Sequence, residues 1–382
     1  MRDIKWWLLW SERARCDVYP ISFCVKWRCR FILLRAQFFL PTAQNKQVHL
    51  LRSIGYNLCR CWKYVRSMRF IARMIQDTQA DVVVNFYELL TGFTYALYRP
   101  KAVMVCVAHQ YLFLHPDFRF PPGHVLSLAS LRFFTRLTAI GATKKLALSF
   151  RKMPEVDCEG LVVVPPLLRQ EVLEQVSTRG DYLHGYLLNS GFAEEIREWH
   201  DRHPEVGLHF FWDKRGVSSE VRMDNTLSFH ALDDRLFVRY MAGSKAYATT
   251  AGFESVCEAM FLDKPVLMVP THIEQVCNAY DASLSGAGAV SEGFDLDWLL
   301  SLAEHPVSHV AFRHWVRQAD WLILREFRED LFAHGLCTAR TLNSIKKDEY
   351  VCFVFISMRS EPLVGFEPTT PRLQITCSGQ LS

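Results

Sequence analysis

Apolar positions recur along this chain in two rhythms, and the switches between them mark its elements. Leu51, Ile54, Leu58, Cys61, Val65, Met68, Ala72 and Ile75 alternate spacings of three and four. That spacing predicts one helix over 51–75 with a single apolar stripe. Arg60, Lys63, Arg66, Arg69 and Arg73 fall largely off the stripe and predict a solvated basic face. Asp81–Phe86 (DVVVNF) and Ala102–Ala108 (AVMVCVA) are continuous apolar runs of strand length, the pattern of parallel strands buried on both faces. The first ends in Tyr87-Glu88 and a loop to Thr91-Gly92, the second in His109-Gln110. An irregular stretch from His115 to Gly123, a helix near Val125–Leu137, a strand Lys145–Phe150 and a strand Leu161–Val164 with Pro165-Pro166 complete a first unit.

A second unit opens with the strand Asp181–Leu188, the turn Asn189-Ser190-Gly191 and the helix Phe192–His200. Strands Val206–Trp212 and Thr226–Phe229, with His230-Ala231 next, precede a helix Asp233–Ser244. Then comes the densest stretch, 245–279. It reads as strand Ala246–Thr249, loop Thr250-Ala251-Gly252, helix Ser255–Phe261 stopped by Lys264-Pro265, strand Val266–Val269, and a loop. A helix over Phe312–Phe327, with Trp315, Ala319, Leu322 and Ile323 on one face, closes the pattern.

Strands alternating with helices over 382 residues predict an α/β protein of two domains with parallel sheets. Ligands of such units sit at the carboxyl ends of the strands. The loop Thr250–Ser255 is thereby placed to meet a small anionic ligand, because free N–H groups and the helix dipole favour phosphate there. His109 and Glu88 end first-unit strands on the same side, and either is a candidate catalytic base.

Gly252, Ser255, Glu258-Ala259, Pro265, Pro270, Glu274-Gln275 and Asn278-Ala279 stand in one order. That series resembles the nucleotide-sugar signature of GT-B glycosyltransferases, which have two Rossmann-like domains with a cleft between them. The chain from about Phe38 to about Phe327 is similar to a bacterial group of such enzymes, related to the lipid-linked N-acetylglucosaminyl transferases of cell-wall synthesis and to UDP-glycosyltransferases. The resemblance implies that Ser255 and the loop amides hold a diphosphate, Glu258 the ribose hydroxyls, and Glu274 and Gln275 the sugar. By the same resemblance the loop at Ser190 would close over the diphosphate, and Thr250 and Asn278 would complete the donor set. Thr250 stands where plant-type members carry a phosphate-binding His, and Glu254 replaces a neutral residue. No cofactor is implied beyond the nucleotide-diphosphate sugar as donor. The expected partners are that donor, a glycan or lipid acceptor, and an anionic membrane surface, with no nucleic acid.

Composition changes this picture in three places. Half the residues are hydrophobic and 22% charged, a globular balance, and no apolar run reaches the length that spans a bilayer. Twelve cysteines lie without paired spacing, which predicts a reducing, cytoplasmic setting without disulfides or a metal site; the resemblance to lipid-linked transferases adds the inner face of the membrane as the expected place. The net charge of +4 hides an excess at the start: residues 1–75 hold fifteen Lys or Arg against Asp3, Glu12 and Asp17. Asp295-Leu296-Asp297, the one Asp-x-Asp, runs into Trp298-Leu299-Leu300 and predicts a helix start in place of a metal ligand.

The two ends break the pattern. Residues 1–35 contain no glycine, although a Rossmann-like first domain opens with a strand and a Gly-rich loop. The expectation is a non-native start and an incomplete first domain. Gly365–Ser382 has no periodicity. Its Gly-Phe-Glu-Pro and Gln-Leu-Ser can be encoded by the complement of tRNA arm sequences, so a read-through tail is expected. The expected parts are an atypical start 1–35, an acceptor-side domain 36–175, a donor domain 176–306, a returning helix 307–345 and a disordered tail 346–382. The leading function is metal-independent glycosyl transfer. An epimerase on the same fold, an inactive truncated product and a nucleic-acid binder are the alternatives.

Overall fold

The computed structural model describes residues 26–34, 61–156, 160–187, 190–212, 218–305, 307–333 and 350–358. The first half contains β1 (Lys26–Leu34), α1 (Cys61–Asp77), β2 (Val82–Phe86), α2 (Leu89–Tyr98), β3 (Val103–Ala108), a 3-10 turn His109–Leu114, α3 (Val125–Thr138), β4 (Lys144–Leu148) and β5 (Leu161–Val164). The second half begins with α4 (Gln170–Leu173), β6 (Tyr182–Leu187), a 3-10 turn Ser190–Phe192, α5 (Ala193–His200), β7 (Gly207–Trp212), β8 (Glu220–Arg222) and β9 (Leu227–Ala231). It continues through α6 (Asp234–Gly243), β10 (Ala246–Thr249), α7 (Phe253–Phe261), β11 (Val266–Met268), α8 (Ile273–Leu284), β12 (Gly288–Val290) and α9 (Leu296–Ala303). The chain then runs into α10 (Val310–Val316), α11 (Ala319–Ala333) and β13 (Tyr350–Met358).

These elements make two separate sheets, in the orders β1-β13-β2-β3-β4-β5 and β12-β11-β10-β6-β7-β9-β8. Every pairing is parallel except β8 with β9. Parallel strands need helices on both faces, and the alternation of the buried residues shows them. Val83, Met104 and Cys106 pack with Ile71 and Ile75 of α1, while Val82, Val84, Val103 and Val105 pack with Ile323 and Phe327 of α11. The terminal helix therefore completes the first domain. In the second sheet Phe211, Tyr247, Val266 and Met268 face α6 and α7, and Leu183, Leu208, Phe210 and Leu267 face α5 and α9. The architecture is the expected α/β pair of parallel-sheet domains.

Several sequence expectations need correction. Lys26–Leu34 and Tyr350–Met358 were expected outside the domains, yet they pair in parallel from Lys26↔Tyr350 to Leu34↔Met358, and β13 pairs with β2. YVCFVFISM is dense in β-branched and aromatic residues, which suits it to a strand; the tail from Gly365 onward lies outside the described residues. Residues 51–60 of the first predicted helix also lie outside them. Thr91 and Gly92 belong to α2 instead of a loop, because Glu88 caps that helix by accepting from Leu90 N. The stretch after β11 is helix α8, so Glu274, Gln275 and Asn278 stand on a helix. The helix expected over 312–327 divides into α10 and α11. The division lets Trp315 Nε1 donate to Ser149 O while α11 turns onto the first sheet.

Candidate functional site

The carboxyl ends of the two sheets meet. His109, immediately after β3, lies on Phe253, the first residue of α7, with ring centroids 3.9 Å apart and planes 15° apart. Gln110 Nε2 donates to Glu274 Oε1 at 2.8 Å, and Arg151, beyond β4, donates to Asp281 Oδ1 of α8 at 2.5 Å. Two strand-end loops of the first domain, after β3 and after β4, thus contact α7 and α8 of the second.

The second-domain side of this junction is built by the turn between β10 and α7. Gly252 is the N-cap of α7 in an extended conformation, and a Cβ there would meet only Ser255 Oγ, at 3.6 Å. The left-handed backbone of the loop belongs to Ala251, at φ 61, buried completely. A non-glycine residue held there stores strain, which a surrounding structure must impose. Asn278 helps to impose it: its Nδ2 donates to Ala251 O at 3.4 Å from α8. Ser255 stands half-buried in the first turn, with Oγ donating to Gly252 O at 3.1 Å and 3.4 Å from Thr249 Oγ1. Thr250 is buried. The first turn of α7 brings its free amides to this edge.

Glu258 lies one turn beyond Ser255 and is 5% exposed. Arg169, from the connector after β5, donates from Nε to Oε1 and from Nη2 to Oε2, the second at 2.6 Å. Its Nη1 reaches Asp234 Oδ1 of α6 at 3.3 Å, and its guanidinium sits 5.7 Å from the Phe237 ring centroid. Burial works against the Arg169 charge, and the Glu258 carboxylate outweighs it, so the guanidinium is held above its ordinary range. The carboxylate expected to be open to a ribose is gripped along one edge by an arginine. Sequence reading missed Arg169; its signal was a lone cation directly after an apolar, proline-led connector, PPLL.

The remaining candidates are distributed as follows. Glu274 bonds across the domains to Gln110, and Gln275 Oε1 accepts from Thr271 N and Thr271 Oγ1 at 2.9 and 2.7 Å. Gln275 therefore closes the start of α8. Ser190 opens the 3-10 turn after β6, and its side chain lies outside what the structure describes. His109 Nδ1 donates to Leu148 O at 2.7 Å, which leaves Nε2 as the lone-pair nitrogen. Nε2 is buried without a hydrogen-bond partner, as is Asn278 Oδ1. Burial lowers the His109 pKa and Asp281 partly opposes the shift, so the ring is neutral at pH 7. Phe113 and Phe150 edge against the same ring, at 5.5 and 5.6 Å between centroids. Glu88 is 0% exposed, pushed up to about 7 by burial, and one carboxylate oxygen has no partner. The structure does not bring Glu88 and His109 together at an open surface; each is enclosed in its own packing.

Asp295 Oδ1 accepts from Trp298 N at 2.9 Å, capping α9 as expected. Among the described residues no group of three His, Cys, Asp or Glu is placed to hold a metal, and no helix is long and apolar enough to cross a membrane. Cys106, Cys257 and Cys277 are free and buried.

A family profile described as glycosyl transferase family 1 matches residues 34–302. No curated protein matches the chain. Among solved structures, the chain is similar to the glycotransferase of kitacinnamycin, at 15% identity over 69% of this chain and 80% of that one, with a TM-score of 0.47. LpCGTa in complex with UDP matches at 15% identity over 72% and 80%, with a TM-score of 0.45. The calicheamicin glycosyltransferase CalG4 matches at 17% identity over 72% and 79%, with a TM-score of 0.43.

Proposed function

Since the chain belongs to glycosyl transferase family 1, we propose that it moves a sugar from a nucleotide-diphosphate donor to an acceptor without a metal ion, the diphosphate resting on the amino end of α7. One observation carries this reading. A buried, left-handed Ala251 turns the backbone just before Gly252 and Ser255, so that an N-terminal helix turn is presented where the two sheets' carboxyl ends meet. Strained backbone clusters at active sites and ligand clamps, and an uncapped helix start stabilises a departing diphosphate through amides and dipole. In this reading Ser255 adds a hydroxyl to the phosphate and Glu258 serves the ribose. Glu274, Gln275 and Asn278 line the sugar side from α8, and the Ser190 turn closes from β6.

His109 and Glu88 are the candidates for activating an acceptor hydroxyl. His109 is the better placed, since its ring lies at the domain junction against Phe253 of α7 and its Nε2 lone pair has no hydrogen-bond partner. Turnover then needs the domains to part far enough for an acceptor to reach Nε2, a motion of the hinge kind common in two-domain enzymes.

The test is a transfer assay with a panel of nucleotide sugars, read as release of nucleoside diphosphate with and without a chelator. Release that depends on added acceptor and survives chelation supports the reading. Epimerised donor with no release would replace it with the epimerase, and release abolished by chelation would remove the metal-free mechanism.

A further inference from the structure

The diphosphate site at α7 is short of positive charge. Its loop and first turn offer Thr250, Ala251, Gly252 and Ser255, all neutral, and an exposed Glu254. A nucleoside diphosphate brings roughly two or more negative charges at neutral pH, whereas a helix start supplies only about half an elementary charge. A cation is needed at that edge, and the structure holds one in reserve. Resting on the donor reading above, we propose that Arg169 is the counter-charge of the donor diphosphate, paired with Glu258 until the donor binds and transferred to phosphate when the ribose takes that carboxylate.

Three features carry the inference. Arg169 reaches the ligand edge of the second sheet, because it bonds Asp234, the first residue of α6, and Glu258, three positions beyond Ser255 on α7. Residues three apart on a helix are neighbours, with Cβ atoms about 5–6 Å from each other, so the guanidinium is parked within one helical turn of the phosphate position. Second, the Glu258 edge that Arg169 occupies through Nε and Nη2 is the edge a vicinal diol would take. A carboxylate offers two oxygens on that edge, so diol and guanidinium exclude each other, and ribose binding frees the arginine. The same fork that grips a carboxylate matches phosphate. Third, Arg169 stands on the connector, five residues after β5 ends at Val164. Its transfer would therefore tell the first domain that the donor is in place.

Calorimetric titration of the full chain with uridine 5′-diphosphate and with uridine separates charge from the rest of the ligand. The adenosine, guanosine and thymidine pairs cover the other bases. For Arg169→Gln we expect diphosphate affinity to fall about ten- to a hundredfold, with nucleoside affinity unchanged or higher because Glu258 is released. The diphosphate-to-nucleoside ratio then collapses. Arg169→Lys, which keeps the charge without the fork, should give an intermediate ratio, and Glu258→Gln should weaken both ligands alike. A purely structural arginine would lower both ligands in proportion to the folded protein lost, so an unchanged ratio in Arg169→Gln overturns the proposal. Should that variant not fold, Arg169→Lys decides, and an undiminished ratio there overturns it. Failure of the donor reading looks different: the wild type then binds none of the diphosphates, and both ideas fall.

Discussion

His109 lies flat against Phe253, and this stack is the tightest aromatic contact between the two domains, at 3.9 Å between ring centroids. It joins the end of a first-domain strand to the first residue of the helix whose amino end faces the proposed phosphate. A stacked aromatic pair of this kind is worth about 0.5–1.5 kcal/mol beyond the area it buries. A double-mutant cycle of His109→Ala with Phe253→Ala, followed by thermal denaturation, should return a coupling of that order. Phe253→Ala also lets water reach the ring that burial now holds neutral. The imidazole titration followed by NMR should therefore move up toward the ordinary histidine range. A zero coupling with an unmoved titration would mean that the domains do not meet through these rings.

A second layer of histidines lies on the neighbouring strands β6, β7 and β9. His184 is the register partner of His209, and His209 Nδ1 is 3.1 Å from His230 Nε2. Tyr182 and Tyr240 face His209, and Phe211 and Phe237 face the others. Glu220 favours protonation of His209 and His230, while Lys264 opposes it at His184. Burial dominates throughout: it lowers His209 to about 4, lowers His230, and drives His184 well below the usual range. Folded values below the unfolded value of about 6.5 mean that the unfolded chain binds more protons as pH falls. The stability is fully present above pH 6.5 and is lost through the window down to about 4. The melting temperature should fall steadily from pH 7 to pH 5, and His209→Gln should flatten that slope. An acid limb of equal steepness in the variant would clear this cluster of responsibility.

Glu88 acts with the opposite sign. Burial raises its carboxyl to about 7 from an ordinary 4.5, so its contribution is fully present below 4.5 and is lost as pH rises through 7. Together with the histidines this places the stability maximum between about pH 6 and 7. Glu88→Gln, which keeps an oxygen for Leu90 N, should gain on the wild type at pH 8 relative to pH 5. Parallel pH curves for the two proteins would show that the group is not sealed.

How far the sequence could be read depends on where each signal resides. Val83, Met104 and Cys106 alternate with Val82, Val84 and Val103 in facing opposite cores, and that burial on both faces is visible as unbroken apolar runs. Gly252, Ser255 and Glu258 were legible because a helix start fixes them locally. Arg169 was not, since its partner is 89 positions away and nothing nearby in sequence marks a bidentate contact. The helix identity of 273–284 was obscured by Glu274, Gln275, Asn278 and Asp281, polar residues that α8 turns toward the first domain, the Ala251 loop and its own start. The strand Tyr350–Met358 was not legible, because what places it in the first sheet is pairing with Lys26–Leu34 and Val82–Phe86, both far away in sequence.

Gly92 shows how a position expected in a loop can be demanded by packing. A Cβ there would lie 2.4 Å from Leu137 O and 3.0 Å from Thr138 O, so α2 and α3 approach through bare backbone. Asn85 Nδ2 donates to the same Thr138 O at 2.9 Å and cannot easily follow a displaced helix. Overpacking of this kind costs about 1–3 kcal/mol, more than the ~1 kcal/mol that alanine returns through helix propensity. Gly92→Ala should therefore lower the melting temperature. A rise would show that α3 slides aside without loss.

Glu258→Gln and Ser255→Ala test the donor site from its two sides. Ser255 is half-buried, and its Oγ spends one proton on Gly252 O. The loop amides share any phosphate with it, so Ser255→Ala should weaken nucleoside diphosphate binding by less than about 1.5 kcal/mol, the net value of an ordinary hydrogen bond. Glu258 is a charged partner, worth about 1.5–3 kcal/mol when lost, or on the order of ten- to a hundredfold in affinity. Its removal has a second effect that Ser255 lacks, because Arg169 is left as a buried cation without its bidentate carboxylate partner. Breaking one half of a buried pair costs about 3–5 kcal/mol of stability, so Glu258→Gln should also melt earlier than Ser255→Ala. Calorimetry and thermal denaturation on the same samples separate the two effects. A Glu258→Gln protein that melts early but binds diphosphate as the wild type does would make Glu258 a tether for Arg169 alone, and would take the ribose out of its hands.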